Sequence, residues 1–167
     1  MKKSWKLFAV VLAWVCLSAC VGVNPLAEKK LDGVVGETLS NMFFDWTVNS
    51  AESVGEYEGY TAADGYQLLV CNVTVDNTFG EALPMYDSDF QVQWGDGEED
   101  FAWSLDAYSD KMMPLEWELA TDESATYDLV FEVPADLSSF AIVYLEQYTD
   151  EDGNSGEGDL FTVQFEV

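Results

Sequence analysis

The sequence contains no histidine and no arginine. Without histidine, the usual serine triad has no base. A zinc site likewise loses its nitrogen ligand. Six lysines stand against 32 acidic residues. Nothing is present to neutralise a phosphate backbone, which excludes nucleic acid as a partner. Cysteine is scarce, with only Cys16, Cys20 and Cys71. The apolar run from Leu7 to Ala19 is 13 residues long, and a spanning helix needs about 20. No amphipathic pattern of three helical turns is present either.

What is present begins with a leader. Lys2, Lys3 and Lys6 form a charged head, and the apolar run follows. It ends in Leu17-Ser18-Ala19-Cys20. This order resembles the lipobox of bacterial lipoproteins: an aliphatic residue, two small residues and the cysteine that receives the lipid. The resemblance implies a signal peptide over 1–19, a diacylglyceryl and acyl (palmitate-type) lipid on Cys20, and attachment to the extracytoplasmic face of a cell membrane. An ordinary secretory signal has similar anatomy. Cys16 is a poor rival for the lipid, because bulky Trp14 and Val15 precede it.

All 32 acidic residues follow Cys20, and only Lys29, Lys30 and Lys111 remain to oppose them. Three positive charges against 32 negative ones leave −29 after removal of the leader. Such a surface repels anionic headgroups and favours cationic partners. It also keeps a tethered domain soluble. With Cys20 lipidated, Cys71 has no partner for an intramolecular disulfide. Hydrophobic residues make up 49% of the chain, enough for a packed core rather than a disordered acidic tail.

Residues 20–40 are broken by Gly22, Pro25, Gly33 and Gly36 and read as a tether. A domain then runs over 41–167. Met42, Phe44, Trp46 and Val48 alternate with more polar residues, as a half-buried strand requires. Ala51 to Asp64 is small and polar, suited to a short helix or a loop. Tyr66 to Asn77 is the strongest strand. Leu69, Cys71, Val73 and Val75 share one face, and Leu68 and Val70 make the other face apolar at its start, so it is expected to be central. Phe90 to Trp94 and Phe101 to Leu105 flank Gly95-Asp96-Gly97, a hairpin signature. Strands are also expected at Leu115–Leu119, at Tyr127–Val133 before Pro134, at Phe140–Leu145 and at Phe161–Val167. Asp150 to Asp159 reads as an acidic loop. Short strands with turn chemistry between them predict an all-β, immunoglobulin-like antiparallel two-sheet sandwich of about seven to nine strands.

From about Val35 onward the chain resembles the immunoglobulin-like bacterial domain of unknown function 4352, common in secreted lipoproteins. The matching pieces are Gly36-Glu37-Thr38, Val48-Asn49-Ser50, Asp64-Gly65-Tyr66, Val73 to Asn77, Asp89-Phe90, and Leu129 to Pro134. The chain departs at Asp122-Glu123, where the family usually has glycine before the acidic residue. The resemblance supplies no catalytic set.

The chemistry is therefore sparse. Lys111 is the only lysine inside the domain and reads as a surface charge. Hard cations want oxygen ligands, so Asp150, Asp152, Asn154 and Asp159 are the calcium candidates, with Asp96, Glu98 and Asp100 a second set. The helix–loop–helix calcium pattern fails: counted from Asp150, the sixth position is Ser155 and the twelfth is Phe161. Trp46, Trp94, Trp103 and Trp117 are expected in the core. Tyr57, Tyr60, Tyr86, Tyr108 and Tyr148 fall in or near loops, where they cover strand ends or recognise a partner. The leading expectation is a non-enzymatic, membrane-tethered binding module for a protein or envelope ligand. A calcium-stabilised adhesive domain and an envelope hydrolase are the alternatives.

Overall fold

The structure, a computed structural model, describes residues 30–149 and 153–167. The strands are β1 (Lys30–Val34), β2 (Thr38–Ser40), β3 (Phe44–Val54), β4 (Glu56–Tyr57), β5 (Tyr60–Thr61), β6 (Tyr66–Asn77), β7 (Leu83–Tyr86), β8 (Phe90–Gln93), β9 (Phe101–Trp103), β10 (Glu116–Leu119), β11 (Ser124–Pro134), β12 (Ser139–Thr149) and β13 (Ser155–Glu166). The one helical piece among the described residues is a 3-10 turn, Asp87–Asp89.

Two sheets form the sandwich: β1-β13-β12-β8-β9 and β11-β6-β3-β2. β7 and β10 make a separate pair, as do β4 and β5. The all-β sandwich expected from the pattern is present. Its nine main strands pair antiparallel, save that β1 runs parallel to β13.

β6 lies between β3 and β11, as its two apolar faces imply. Its inward row, Leu69, Cys71, Val73 and Val75, meets Trp46, Phe90, Phe131, Phe161 and Ile142 in the main core. Trp46 packs on Phe90 at 5.3 Å, and Tyr144 on Phe44 at 5.1 Å and Phe161 at 6.0 Å. Burial of each such side chain stabilises by about 1.5–3 kcal/mol. Cys71 is a free, buried thiol; burial first, then Asp128, pushes its pKa far up, so it packs as a hydrophobe. Asn77 ends β6 as a buried hub. Its amide donates to the carbonyls of Glu81, Leu119 and Ala120, each at 3.0 Å, and its oxygen accepts the Phe79 N–H at 2.8 Å.

Several expectations are corrected. Residues 30–40, assigned to the tether, form β1 and β2: Leu31 packs on the main core, Leu39 is buried in it, and Gly33 lies against Leu39 with no room for a relaxed Cβ. Residues 20–29 of that tether lie outside the described residues. Ala51 to Val54 continues β3 past a bulge at Asn49, and β4 and β5 form a hairpin beyond it. Trp103 is 51% exposed on the edge strand β9, and Met42 is 55% exposed in the turn before β3. Asp122 sits at φ 60, the left-handed region that glycine adopts most readily. Aspartate is one of the few residues that tolerates it.

The registers also fix which end of the sandwich is which. β1 begins beside Leu160, and Leu145 of β12 pairs with that same residue. Next to Leu145, the buried Glu146 occupies a bulge and accepts the Met42 N–H at 2.7 Å, just before β3 starts. β3 therefore starts at the end where β1 enters. Val54, Leu68 and Glu132, paired across β3, β6 and β11, lie toward the opposite end.

Candidate interaction site at the β4–β5 hairpin

The outer face of the β11-β6-β3-β2 sheet has two halves. Nearer the β1 entry it is flat and polar. Thr38, Thr47, Thr74 and Thr126 stand in register across its four strands. Their hydroxyls bond in pairs at 2.8 Å, Thr38 with Thr47 and Thr74 with Thr126. In the next row Asp45 faces Asp76 directly, a like-charge pair that destabilises a sheet.

The other half is covered. Leu68, Val70, Val130 and Met112 form a second apolar cluster, flanked by Val54, Tyr57, Ala62 and Leu105. This explains why the start of β6 is apolar on both faces. Two segments provide the cover: the β4–β5 hairpin and residues 104–113. The latter run along the free edge of β11. Leu105 N–H donates to Val130 O at 2.7 Å, Met113 N–H to Asp128 O at 3.0 Å, and Asp128 N–H to Lys111 O at 2.8 Å. An edge strand left open is a template for aggregation, and this segment covers its middle, at Asp128 and Val130.

Where the two segments meet they assemble polar and aromatic groups. The hairpin tip is Tyr57-Glu58-Gly59-Tyr60. Glu58 has φ 48 and Gly59 φ 87, the conformation of a tight two-residue turn that favours asparagine or glycine at both positions. Glu58 thus carries local strain. Its carboxylate meets the Lys111 ammonium at 2.5 Å, a hydrogen bond that raises the lysine pKa. Tyr60 and Tyr108 stack with centroids 5.5 Å apart and planes inclined 25°. They are 37% and 39% exposed. Tyr108 donates to the Tyr57 carbonyl at 3.1 Å, pinning loop to hairpin. Tyr57 donates to Asp128 Oδ2 at 2.5 Å, while Asn72 donates to Asp128 Oδ1 at 2.7 Å. Burial first, and then Asp128, raise the Tyr57 pKa well above the ordinary phenol value, so it remains a donor.

Of the five loop tyrosines, then, Tyr57, Tyr60 and Tyr108 come together. Tyr86 lies in β7 and Tyr148 in β12, both half-buried. Sequence reasoning missed Glu58, Asn72 and Asp128; it read Lys111 as a surface charge, which its 65% exposed side chain is, without its Glu58 partner. The Glu58-Gly59 dipeptide was the usable signal, since a residue–glycine pair between strands marks a two-residue hairpin.

The cation candidates fare differently. Cys20, Asp150 and Asp152 lie outside the described residues. Asn154 directly precedes β13, and Asp159 is inside that strand rather than in a loop, its N–H donating to Glu146 at 3.3 Å. Asp100 turns its carboxylate inward to the Gly97 N–H at 2.8 Å, closing the β8–β9 turn. Among the described residues no group of three or more acidic or thiol side chains is placed to hold a metal.

Comparison with known proteins supports the fold. A Bacillus subtilis protein, ycdA, described as a candidate lipoprotein, superposes with a TM-score of 0.56 at 22% identity over 77% of this chain. The match covers 38% of that longer chain. An uncharacterised β-sandwich protein of Clostridium difficile superposes at 0.50, with 14% identity over 83% of this chain and 95% of its own. The yjhA protein of Bacillus subtilis gives 0.51, with 14% identity over 78% and 98%. The comparison with curated proteins finds no match. A family model, the domain of unknown function DUF4352, matches residues 34–154, most of the sandwich from the end of β1 to the start of β13, and the chain belongs to that family.

Proposed function

We propose that this protein is a lipid-anchored, extracytoplasmic binding module without enzymatic activity, whose recognition surface is the hairpin corner. The observation that carries the anchor is Leu17-Ser18-Ala19-Cys20 at the end of a charged and apolar leader. The fold shared with a candidate lipoprotein of Bacillus subtilis is consistent with it. No enzyme family is among the matches, and a chain without histidine has few routes to an activated nucleophile. From Cys20 to Lys30 the chain can reach at most about 35 Å, so the sandwich stays close to the membrane. β1 enters at one end, and the corner lies toward the other, where a partner in the envelope can approach it.

The test is fractionation of cells expressing the wild type and Cys20→Ala. The wild type is expected in the membrane fraction and the variant in the soluble extracytoplasmic fraction. Equal membrane retention of both would remove the anchor.

A further inference from the structure

We infer that the corner formed by the β4–β5 hairpin and residues 104–113 docks a lysine- or arginine-bearing segment of another polypeptide, in place of the cation that Lys111 supplies in the free protein. This rests on the binding-module reading above and names its class of partner.

Four observations converge. First, Tyr60 and Tyr108 present a stacked, rigid aromatic surface, each more than a third exposed. Tyrosine faces attract ammonium and guanidinium groups through the ring quadrupole. Second, Glu58 is held in a left-handed conformation beside that surface, with its carboxylate on a cation. The cation is Lys111, whose side chain is 65% exposed and which also feels the acidic Asp128. A lysine so exposed is readily displaced. Third, every other charge on the two segments is negative: Glu56, Asp106 and Asp110, all exposed. With 32 acidic residues in the chain, long-range attraction favours a basic partner and repels nucleic acid and anionic lipid. Fourth, the tyrosines form an open corner between two surface segments. Small ligands are usually buried by 70–90% in a cleft, whereas an exposed aromatic anchor with a polar rim suits a polypeptide.

Lys111 thereby acts as a built-in competitor. It satisfies Glu58 when no partner is present, and it leaves for solvent when a partner's cation stacks on the tyrosines and reaches the carboxylate. No covalent chemistry is involved.

The experiment is fluorescence anisotropy of a labelled, alternating lysine–arginine peptide titrated with the purified full-length lipoprotein in detergent. Lys111→Met frees Glu58 and is expected to tighten binding by about three- to tenfold, a gain that misfolding does not produce. Tyr60→Ala/Tyr108→Ala is expected to weaken it by about tenfold or more, and Tyr60→Phe/Tyr108→Phe by less than about threefold, since the ring faces persist. Asp45→Asn/Asp76→Asn removes two negative charges elsewhere on the sheet and should change it by less than about twofold. The proposal is overturned if Lys111→Met weakens binding or leaves it unchanged, if the alanine pair binds like the wild type, or if the asparagine pair loses as much as the alanine pair. Equal competition by spermine at matched charge overturns the polypeptide assignment. Cys20→Ala leaves this titration unaltered, so loss of the anchor and loss of the docking surface are separate results.

Discussion

At the scale of single residues, the unusual feature is how many carboxylates the fold turns inward. Glu146 and Asp87 are each at most 5% exposed. Asp87 accepts the Ser104 hydroxyl at 3.0 Å, and Asp89 accepts the Tyr86 N–H at 2.9 Å. Burial pushes the Asp89 carboxyl up to about 7; the Tyr86 N–H pulls against this, and Asp87 adds repulsion. The sign of the stability effect follows. An unfolded aspartate titrates near 3.9, so between about pH 4 and pH 7 the folded state holds a proton that the unfolded state has released. This contribution is full below pH 4 and is lost as pH rises through 7. Stability against urea is therefore expected to fall between pH 5 and pH 7.5 in the wild type, and Asp89→Asn should flatten that slope. An unchanged slope would show that Asp89 is ionised throughout. The sequence gives no hint of this pair, because Asp-Ser-Asp between strands reads as an ordinary turn. The opposite case is Cys71, whose burial was legible from the alternation around it.

At the scale of elements, strand existence was far more legible than strand cover. Period-two alternation located β3, β6, β8, β9, β10, β11 and β13, a run apolar on both faces located β12, and Pro134 stops β11 where proline must. It failed where the local chain carries little apolar content. β1 and β2 are short and rich in glycine and polar residues, and they are strands because Leu31 and Leu39 fill the sandwich mouth and β13 offers a free edge. It failed again at Trp103 and Met42, whose alternation is regular but whose positions fall on an edge strand and in a turn. Residues 104–113 are the least legible element, since their role depends on the outer face of β6, distant in sequence. Met112, 2% exposed, holds them there. Met112→Ala is expected to cost about 2–5 kcal/mol at that contact. Hydrogen exchange should show the Leu105 and Met113 amides losing more protection than the Val73 amide of β6. A uniform loss would mean that the segment unfolds only with the whole domain.

At the scale of the whole molecule, the charge, the fold and the leader address different questions. The sandwich is set by its core and turn residues, and the family model covers 34–154. Asp122 holds a left-handed backbone conformation in the turn before β11. The negative surface favours basic partners but does not single out one face; the pairing of the tyrosines with Glu58 and Lys111 does. The domain's orientation depends on the link between Cys20 and β1, which is shorter than the glycine and proline pattern of 20–40 suggested, because half of that stretch belongs to the sheets. The central claim is that this link begins at a lipidated cysteine. Mass spectrometry of the N-terminal peptide from the membrane-extracted protein tests it most directly. The account predicts a peptide that starts at Cys20 and carries the mass of a diacylglyceryl group. A peptide that starts elsewhere, or an unmodified Cys20, would contradict it.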